Sequence, residues 1–365
     1  MKTNPRYGRI DQAEVRGSIR TFLLVLASII IALLIGAIFV SFVGVSPLEA
    51  YGYLITAPYS TKLGIGEIIT KATPLVIVGV GVAFAATGGC NNLGGEGQIY
   101  AGALGATLLA TSPLGQALGA WAIPLSMLAG TLFGAVWGGI AGFMKAYYGS
   151  NELIVTLMLN YICLQLIAYL VHGPIMEVGG VNPQSAAIDP SMRLAKLWSG
   201  TRAHAGVFIA VGCVIFYWIV RKYTRFGYNL SIVGKSPKAA RYAGCNVKFY
   251  QFFSMVIAGA FAGLAGAVEI LGVQYRLIEG ICESMGITGM VSALIGRLNP
   301  VGLMASATML AGLDAGAEKM QVACGVPVTL VDILQGIIVL FILTSFSFKK
   351  LNLGRRMKKS EKGDS

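Results

Sequence analysis

Apolar residues run along the chain in long stretches, separated by short polar or basic ones. The first stretch extends from Thr21 to Val43, and others lie near 66–87, 94–111, 118–143, 152–171, 203–220, 249–272, 285–298, 300–316 and 326–346. A bilayer core takes roughly 20 apolar residues of helix. The pattern therefore predicts about ten membrane-spanning segments and an all-α polytopic membrane protein. The first stretch follows Arg16 and Arg20 and ends without a small-residue cleavage pattern, which predicts an uncleaved helix rather than a signal peptide.

Two segments are broken. Five glycines (Gly88, Gly89, Gly94, Gly95 and Gly97) interrupt the chain before the third stretch. The stretch 285–298 is short and ends at Asn299-Pro300. Interrupted apolar segments in matching places of two halves mark a transporter repeat. Gly97-Gln-Ile-Tyr-Ala-Gly-Ala-Leu-Gly105 aligns weakly with Gly289-Met-Val-Ser-Ala-Leu-Ile-Gly296, one residue shorter, which predicts two weakly related halves.

Composition sharpens this reading. Of 365 residues, 55% are hydrophobic and only 12% charged, against roughly 25% charged in an average soluble domain. The 48 glycines are nearly twice the usual share of about 7%. A soluble enzyme, a disordered tail and a small disulfide scaffold are all excluded.

The net charge of +12 is a matter of topology. Of 28 Lys and Arg, five lie in 1–20, seven in 221–248 and seven in 349–362. Basic clusters beside apolar stretches mark cytoplasmic loops. Six crossings return the chain inside at Arg221 and four more at Lys349, so both termini are predicted to be cytoplasmic. Loops 44–65, 172–202, 273–284 and 317–325 then lie outside. The expected organisation is a basic segment 1–20, a membrane domain 21–348 with a cytoplasmic loop 221–248, and a basic tail 349–365. Basic residues interleaved with exposed aromatics would suit nucleic acid; this chain predicts no nucleic-acid partner, only membrane lipid.

Several polar residues interrupt the apolar background. Backbone freed by a helix break must face protein or a watery cavity, so Asn92, Glu96 and Gln98 border a polar substrate path or form a polar loop at the membrane edge. Glu152, Thr156 and Asn160 recur every four residues and share one helical face, either towards a path or in hydrogen bonds between helices. Glu269 and Asp332, the latter with Gln335 close by, are the other intramembrane acidic candidates. Gly130, Gly134, Gly138 and Gly142 form a ladder suited to close helix packing, as do Gly259, Gly263 and Gly266.

Catalytic chemistry finds no support. Gly234-Lys235-Ser236 ends like a phosphate-binding loop, but Asn229 stands where the earlier glycine belongs and Pro237 follows. The six cysteines (90, 163, 213, 245, 282, 324) lack metal-site spacing, and His172 and His204 lie near no cysteine pair. Cys282 and Cys324, both expected outside, are candidates for pairing. The reading is a non-enzymatic membrane protein with no metal or cofactor of its own.

Four segments resemble the permease subunits of bacterial ABC importers of the ribose and nucleoside type. They are Asn92-Leu-Gly-Gly-Glu-Gly-Gln98, Asn151-Glu-Leu-Ile-Val-Thr-Leu-Met-Leu-Asn-Tyr161, Val233-Gly-Lys-Ser-Pro-Lys-Ala-Ala-Arg-Tyr-Ala-Gly244 and Ala293-Leu-Ile-Gly-Arg-Leu-Asn-Pro300. The likeness covers roughly 65–345, and with Pro183-Gln184-Ser185 it is closest to the nucleoside branch. Asn91 and Lys235 depart from it, since that family usually carries Phe at the first position and Glu or a similar residue at the second.

The resemblance implies a substrate path, with Asn92, Glu96, Gln98, Glu152, Thr156, Asn160 and Glu269 as its candidates here. It implies a second, often different, permease chain, an extracytoplasmic substrate-binding lipoprotein, and a cytoplasmic ATPase that holds ATP and Mg. The ATPase would grip a short helix bearing Pro237, Lys238, Ala239, Arg241, Tyr242 and Gly244. Positive-inside bias alone explains the charge of that loop, but not a helix with a proline start and a glycine stop. The setting implied is the bacterial cytoplasmic membrane. A ribose-like sugar or a flavin remains open as ligand. A secondary carrier using Glu96, Glu269 and Asp332 for ion coupling is the rival class; a channel lacks the expected ring of charge.

Overall fold

The computed structural model describes residues 30–337, apart from 32, 43, 283, 328, 331, 334 and 335. The basic segment 1–20, residues 21–29 of the first stretch, most of the stretch 326–346 with Gln335, and the tail 349–365 lie outside the described residues. The described chain is helical. Its only β pairings are the isolated bridges Met176–Ser185, Gln184–Ile278 and Lys196–His204.

The chain divides into two compact units, 1–54 with 317–365, and 55–316. In the first, helix α1 (Leu33–Phe42) is tied to α2 (Pro47–Ser60) where Tyr51 Oη donates to the Leu33 carbonyl at 2.7 Å. The second holds α3 (Lys62–Thr87), α4 (Gly95–Ala110), α5 (Pro113–Leu118), α6 (Ala122–Tyr148), α7 (Glu152–Val171), α8 (Gly206–Tyr223), α9 (Arg225–Lys235), α10 (Pro237–Tyr242), α11 (Val247–Glu269) and α12 (Met285–Ile295). Helix α13 (Pro300–Cys324) begins there.

Five helical stretches are long and apolar enough to cross a membrane: Lys62–Thr87, Pro113–Tyr148, Glu152–Val171, Gly206–Tyr223 and Val247–Gln274. The bent pair α1 and α2 makes a sixth if taken as one span. At 1.5 Å per residue, the 16 residues of α4 and the 11 of α12 reach only about 24 and 16 Å, too short to span alone. The stretches expected at 94–111 and 285–298 are thus half-helices.

Helix α3 is apolar all round and buried along most of its length, as a helix at the centre of a bundle must be. The α6 glycines are a packing surface. A Cβ on Gly138 would lie 2.6 Å from the Met255 carbonyl oxygen and 2.9 Å from Gly259 Cα, and one on Gly130 would lie 2.7 Å from the Gly102 oxygen of α4. With little hydrophobic force between helices in lipid, such backbone approach supplies van der Waals contact instead.

The arginines and lysines of 221–248 gather where α8 ends, α9 and α10 lie, and α11 begins; this is the basic end of the bundle. The two half-helices start at a common level, since a Cβ on Gly95 would lie 2.9 Å from Gly286 Cα. From there α4 runs away from the basic end beside α7. Helix α12 runs towards it, with Gly289 on Val78 and Ser292 on Gly79 of α3. It ends at a turn whose Leu298 carbonyl accepts from Tyr217 Oη at 2.9 Å and from Arg221. The two short helices that carry Gly97–Gly105 and Gly289–Gly296 therefore run in opposite directions.

Three expected loops contain more structure than their composition announces; the first, 44–65, holds α2 and the start of α3. Residues 221–248 hold α9 as well as α10, and 317–324, expected as loop, continue α13. Thr224 caps α9 by accepting from the Gly227 amide at 3.1 Å.

Candidate functional site

The site is built around the interruption 88–94. Helix α3 stops at Gly88, and Gly89 takes a φ of +78° that a side chain would strain. The chain then runs without regular structure to Gly94 before α4 begins. Its depth is set by α7, whose buried face is Glu152, Thr156, Asn160 and Cys163. The Asn91 amide lies 3.5 Å from Glu152 Oε1, and the Gly97 amide donates to Asn160 Oδ1 at 2.9 Å. Eight residues of α7 separate those anchors, about 12 Å of helix. The break therefore sits inside the bundle.

Its polar groups are satisfied mutually. Asn92 Nδ2 donates to Gln98 Oε1 at 2.8 Å, and Gln98 Nε2 returns a bond to Asn92 Oδ1 at 3.1 Å. Asn92 Oδ1 also accepts from the Gly94 amide. Asn160 Nδ2 donates to the Leu93 carbonyl at 2.9 Å, so this one side chain ties the end of the break to the first turn of α4. Thr156 returns its hydroxyl to the Glu152 carbonyl at 2.7 Å and packs against Gly94. Glu152 pairs with Lys145 at 2.7 Å, with both side chains largely shielded. Asn92, Gln98, Glu152, Thr156 and Asn160 are thus one constellation.

Glu96 and Glu269 belong to a neighbouring one. Glu96 is half-buried in the first turn of α4, with its Cγ against Gly286 of α12. Glu269, 3% exposed, closes α11 and accepts from Gln274 Nε2 at 3.2 Å across a π-helical turn, Ile270–Gln274. Such turns are frequent at functional sites. Both carboxylates act electrostatically on Cys282, whose amide donates to Tyr100 Oη at 3.4 Å. The cations whose fields reach Glu269 are Arg202 and Lys71. Lys71, Arg202, Lys145 and Tyr100 were not singled out from sequence, although a lysine within the apolar run of α3 is itself a signal. Asp332 lies in the other compact unit.

The segment 172–205 lies over the far end of this region. Ser185, Ile188 and Leu194 donate backbone bonds to Leu277, Tyr275 and Leu271. Arg193 stacks 4.3 Å from the Tyr275 ring, and Arg276 pairs with Glu177. His204 packs on Gly272 of the π-turn and accepts from the Gly206 amide at 3.1 Å, while its Nε2 has no partner. Burial lowers the His204 pKa to about 4. Cys282 and Cys324 are both free thiols, so the pairing considered from sequence is absent. Among the described residues no His, Cys, Asp and Glu cluster suits a metal ion.

At the basic end, Ser236 caps α10 by accepting from the Ala239 amide at 3.3 Å. Ala240 is buried with Val233 and Val247, while Pro237, Lys238, Ala239, Arg241, Tyr242 and Gly244 are exposed. Tyr242, at 94% exposure, presents a bare aromatic ring. Gly244 ends the element at φ +78°.

Residues 64–343 match the protein family described as the permease component of the branched-chain amino acid transport system. The chain belongs to this permease family. The glucose ABC transporter permease protein of Haloferax volcanii is 33% identical over 90% of this chain and 88% of its own length. For the guanosine ABC transporter permease protein of Bacillus subtilis the figures are 34%, 92% and 96%, and for the nucleoside ABC transporter permease protein of Lactococcus lactis 30%, 90% and 92%. The permease is a multi-pass membrane protein and a transport component. Family description and relatives together span amino acids, a sugar and nucleosides, so membership fixes the machine rather than its cargo.

Proposed function

We propose that the permease is the membrane-spanning subunit of an ATP-driven importer of nucleosides. The observation that carries this reading is a break inside the bundle, lined by uncharged amides, next to an exposed helix at the basic end. Asn92, Gln98 and Asn160 make the break polar without net charge, which suits a path for a neutral, hydrogen-bonding solute, and Glu96, Glu152, Thr156 and Glu269 complete the path. The guanosine and nucleoside permeases, similar along nearly their whole length, support that ligand class.

A cytoplasmic ATP-binding subunit holds ATP and Mg and docks on Pro237, Lys238, Ala239, Arg241, Tyr242 and Gly244, so this chain is not itself the enzyme. A second, homologous permease completes the path, and an extracytoplasmic substrate-binding lipoprotein delivers ligand. The chain crosses the bacterial cytoplasmic membrane about ten times within 21–348, with both termini inside. The glucose relative favours a sugar as second reading.

Arg241→Glu tests the docking. At unchanged membrane level it abolishes guanosine uptake; uptake that persists contradicts the proposal.

A further inference from the structure

The sequence leaves Gly234 as the remnant of a phosphate-loop lookalike, and the structure gives it a different place. It lies in the last turn of α9, where a Cβ would fall on the Thr87 carbonyl oxygen and 2.9 Å from the Gly89 amide nitrogen. A Cβ on Gly89 would in turn lie 3.0 Å from Gly234 Cα. The backbone of α9 therefore rests directly on the backbone at the start of the break, with no side chain between them. Leu230, one turn earlier, is buried, and its Cδ1 lies 2.9 Å from where a Cβ on Gly88 would stand.

The other side of α9 is joined to α10. The Ser236 amide donates to the Ile232 carbonyl at 2.9 Å and the Ala240 amide to the Ser236 carbonyl at 3.0 Å. Ala240 and Val233 share one apolar cluster. A push on α10 thus moves α9 with it. Beyond Gly89, only two residues, Cys90 and Asn91, lead to Asn92 and its bond with Gln98. Side-chain rotamers absorb small displacements, whereas touching backbones do not, and packed interfaces switch between arrangements rather than deform smoothly.

We infer that Gly234 and Gly89 form the contact through which movement of the exposed helix α10 reaches the broken helix, making Gly234 a positioning residue for transport. This rests on the proposed ATP-driven reading. Its signature is uncoupling: ATP is consumed without transport. A merely structural role for Gly234 would lower hydrolysis and uptake together.

The test uses the permease purified with its co-expressed ATPase and second permease, reconstituted in proteoliposomes with the binding protein and guanosine. ATP hydrolysis and guanosine uptake are measured for the wild type, Gly234→Ala and Leu230→Ala. The second variant removes contact without adding an atom, and so carries the test if the alanine at 234 impairs folding. Both variants keep the ATPase bound and hydrolysing, while ATP consumed per guanosine transported rises at least about fivefold. An unchanged ratio in the assembled variants overturns the inference. A wild-type complex without ATP-driven uptake overturns the functional reading beneath it.

Discussion

Asn160 Oδ1 accepts a 2.9 Å hydrogen bond from the backbone amide of Gly97, while its Nδ2 donates to the carbonyl of Leu93, four residues earlier and inside the break. A single amide side chain thus takes over both backbone partners that an unbroken helix would have supplied. Asn160→Ala leaves a buried donor and a buried acceptor unmatched, at about 1–3 kcal/mol each. The expected outcome is a melting temperature several degrees lower in detergent, with Asn160→Gln intermediate. Equal melting of Asn160→Ala and wild type would mean that water replaces the side chain fully.

The reciprocal bonds between Asn92 and Gln98 make the two residues one unit. Either alanine substitution strands the remaining amide, so the double variant is expected to be little worse than each single one. A double-mutant cycle on stability should show coupling of about 1 kcal/mol or more. Additive losses would separate the pair.

Glycine placement gives a sharp contrast. Gly134 of α6 faces Gly263 of α11, and a Cβ there would lie 2.6 Å from Gly263 Cα, whereas Gly212 of α8 has nothing within 4 Å. Gly134→Leu should abolish folded protein on size-exclusion chromatography, and Gly212→Leu should leave yield and melting close to wild type. Similar behaviour of the two variants would remove the packing role assigned to the ladder.

His204 supplies a pH dependence. Its ordinary pKa of 6.5 falls to about 4 in the folded chain because burial disfavours the charged ring. Above pH 6.5 both states are neutral and the histidine costs nothing. As pH falls towards 4 the unfolded chain takes a proton that the folded one refuses, so stability is lost, by about 2 kcal/mol at pH 5. Melting of wild type at pH 7.5 and 5.0 should therefore differ more than that of His204→Asn; parallel losses would rule the histidine out.

Much of this was legible in the sequence, and the omissions have physical causes. Apolar runs located the long helices, and Pro237 and Gly244 bracketed α10, because local chemistry sets helix ends. The four-residue spacing of Glu152, Thr156 and Asn160 put them on one face. What they face is a tertiary matter that no spacing encodes, and the structure turns that face onto 91–97. Helix α9 was missed because its amphipathic surface carries too few apolar residues to register in a search for spans. The opposed directions of α4 and α12 depend on Gly95 meeting Gly286, a contact between residues far apart in the chain. Lys71 was passed over inside an apolar run, where its charge should have marked it.

The most direct measurement is guanosine uptake by proteoliposomes containing the permease with its co-purified partners, energised by ATP or by an imposed ion gradient. The account predicts that an ATP-binding subunit and a second permease accompany the chain, that uptake requires ATP, and that ion gradients alone drive none. A chain that purifies alone and accumulates guanosine on a proton or sodium gradient would contradict it, and would make Glu96, Glu269 and Asp332 the residues to examine as coupling carboxylates.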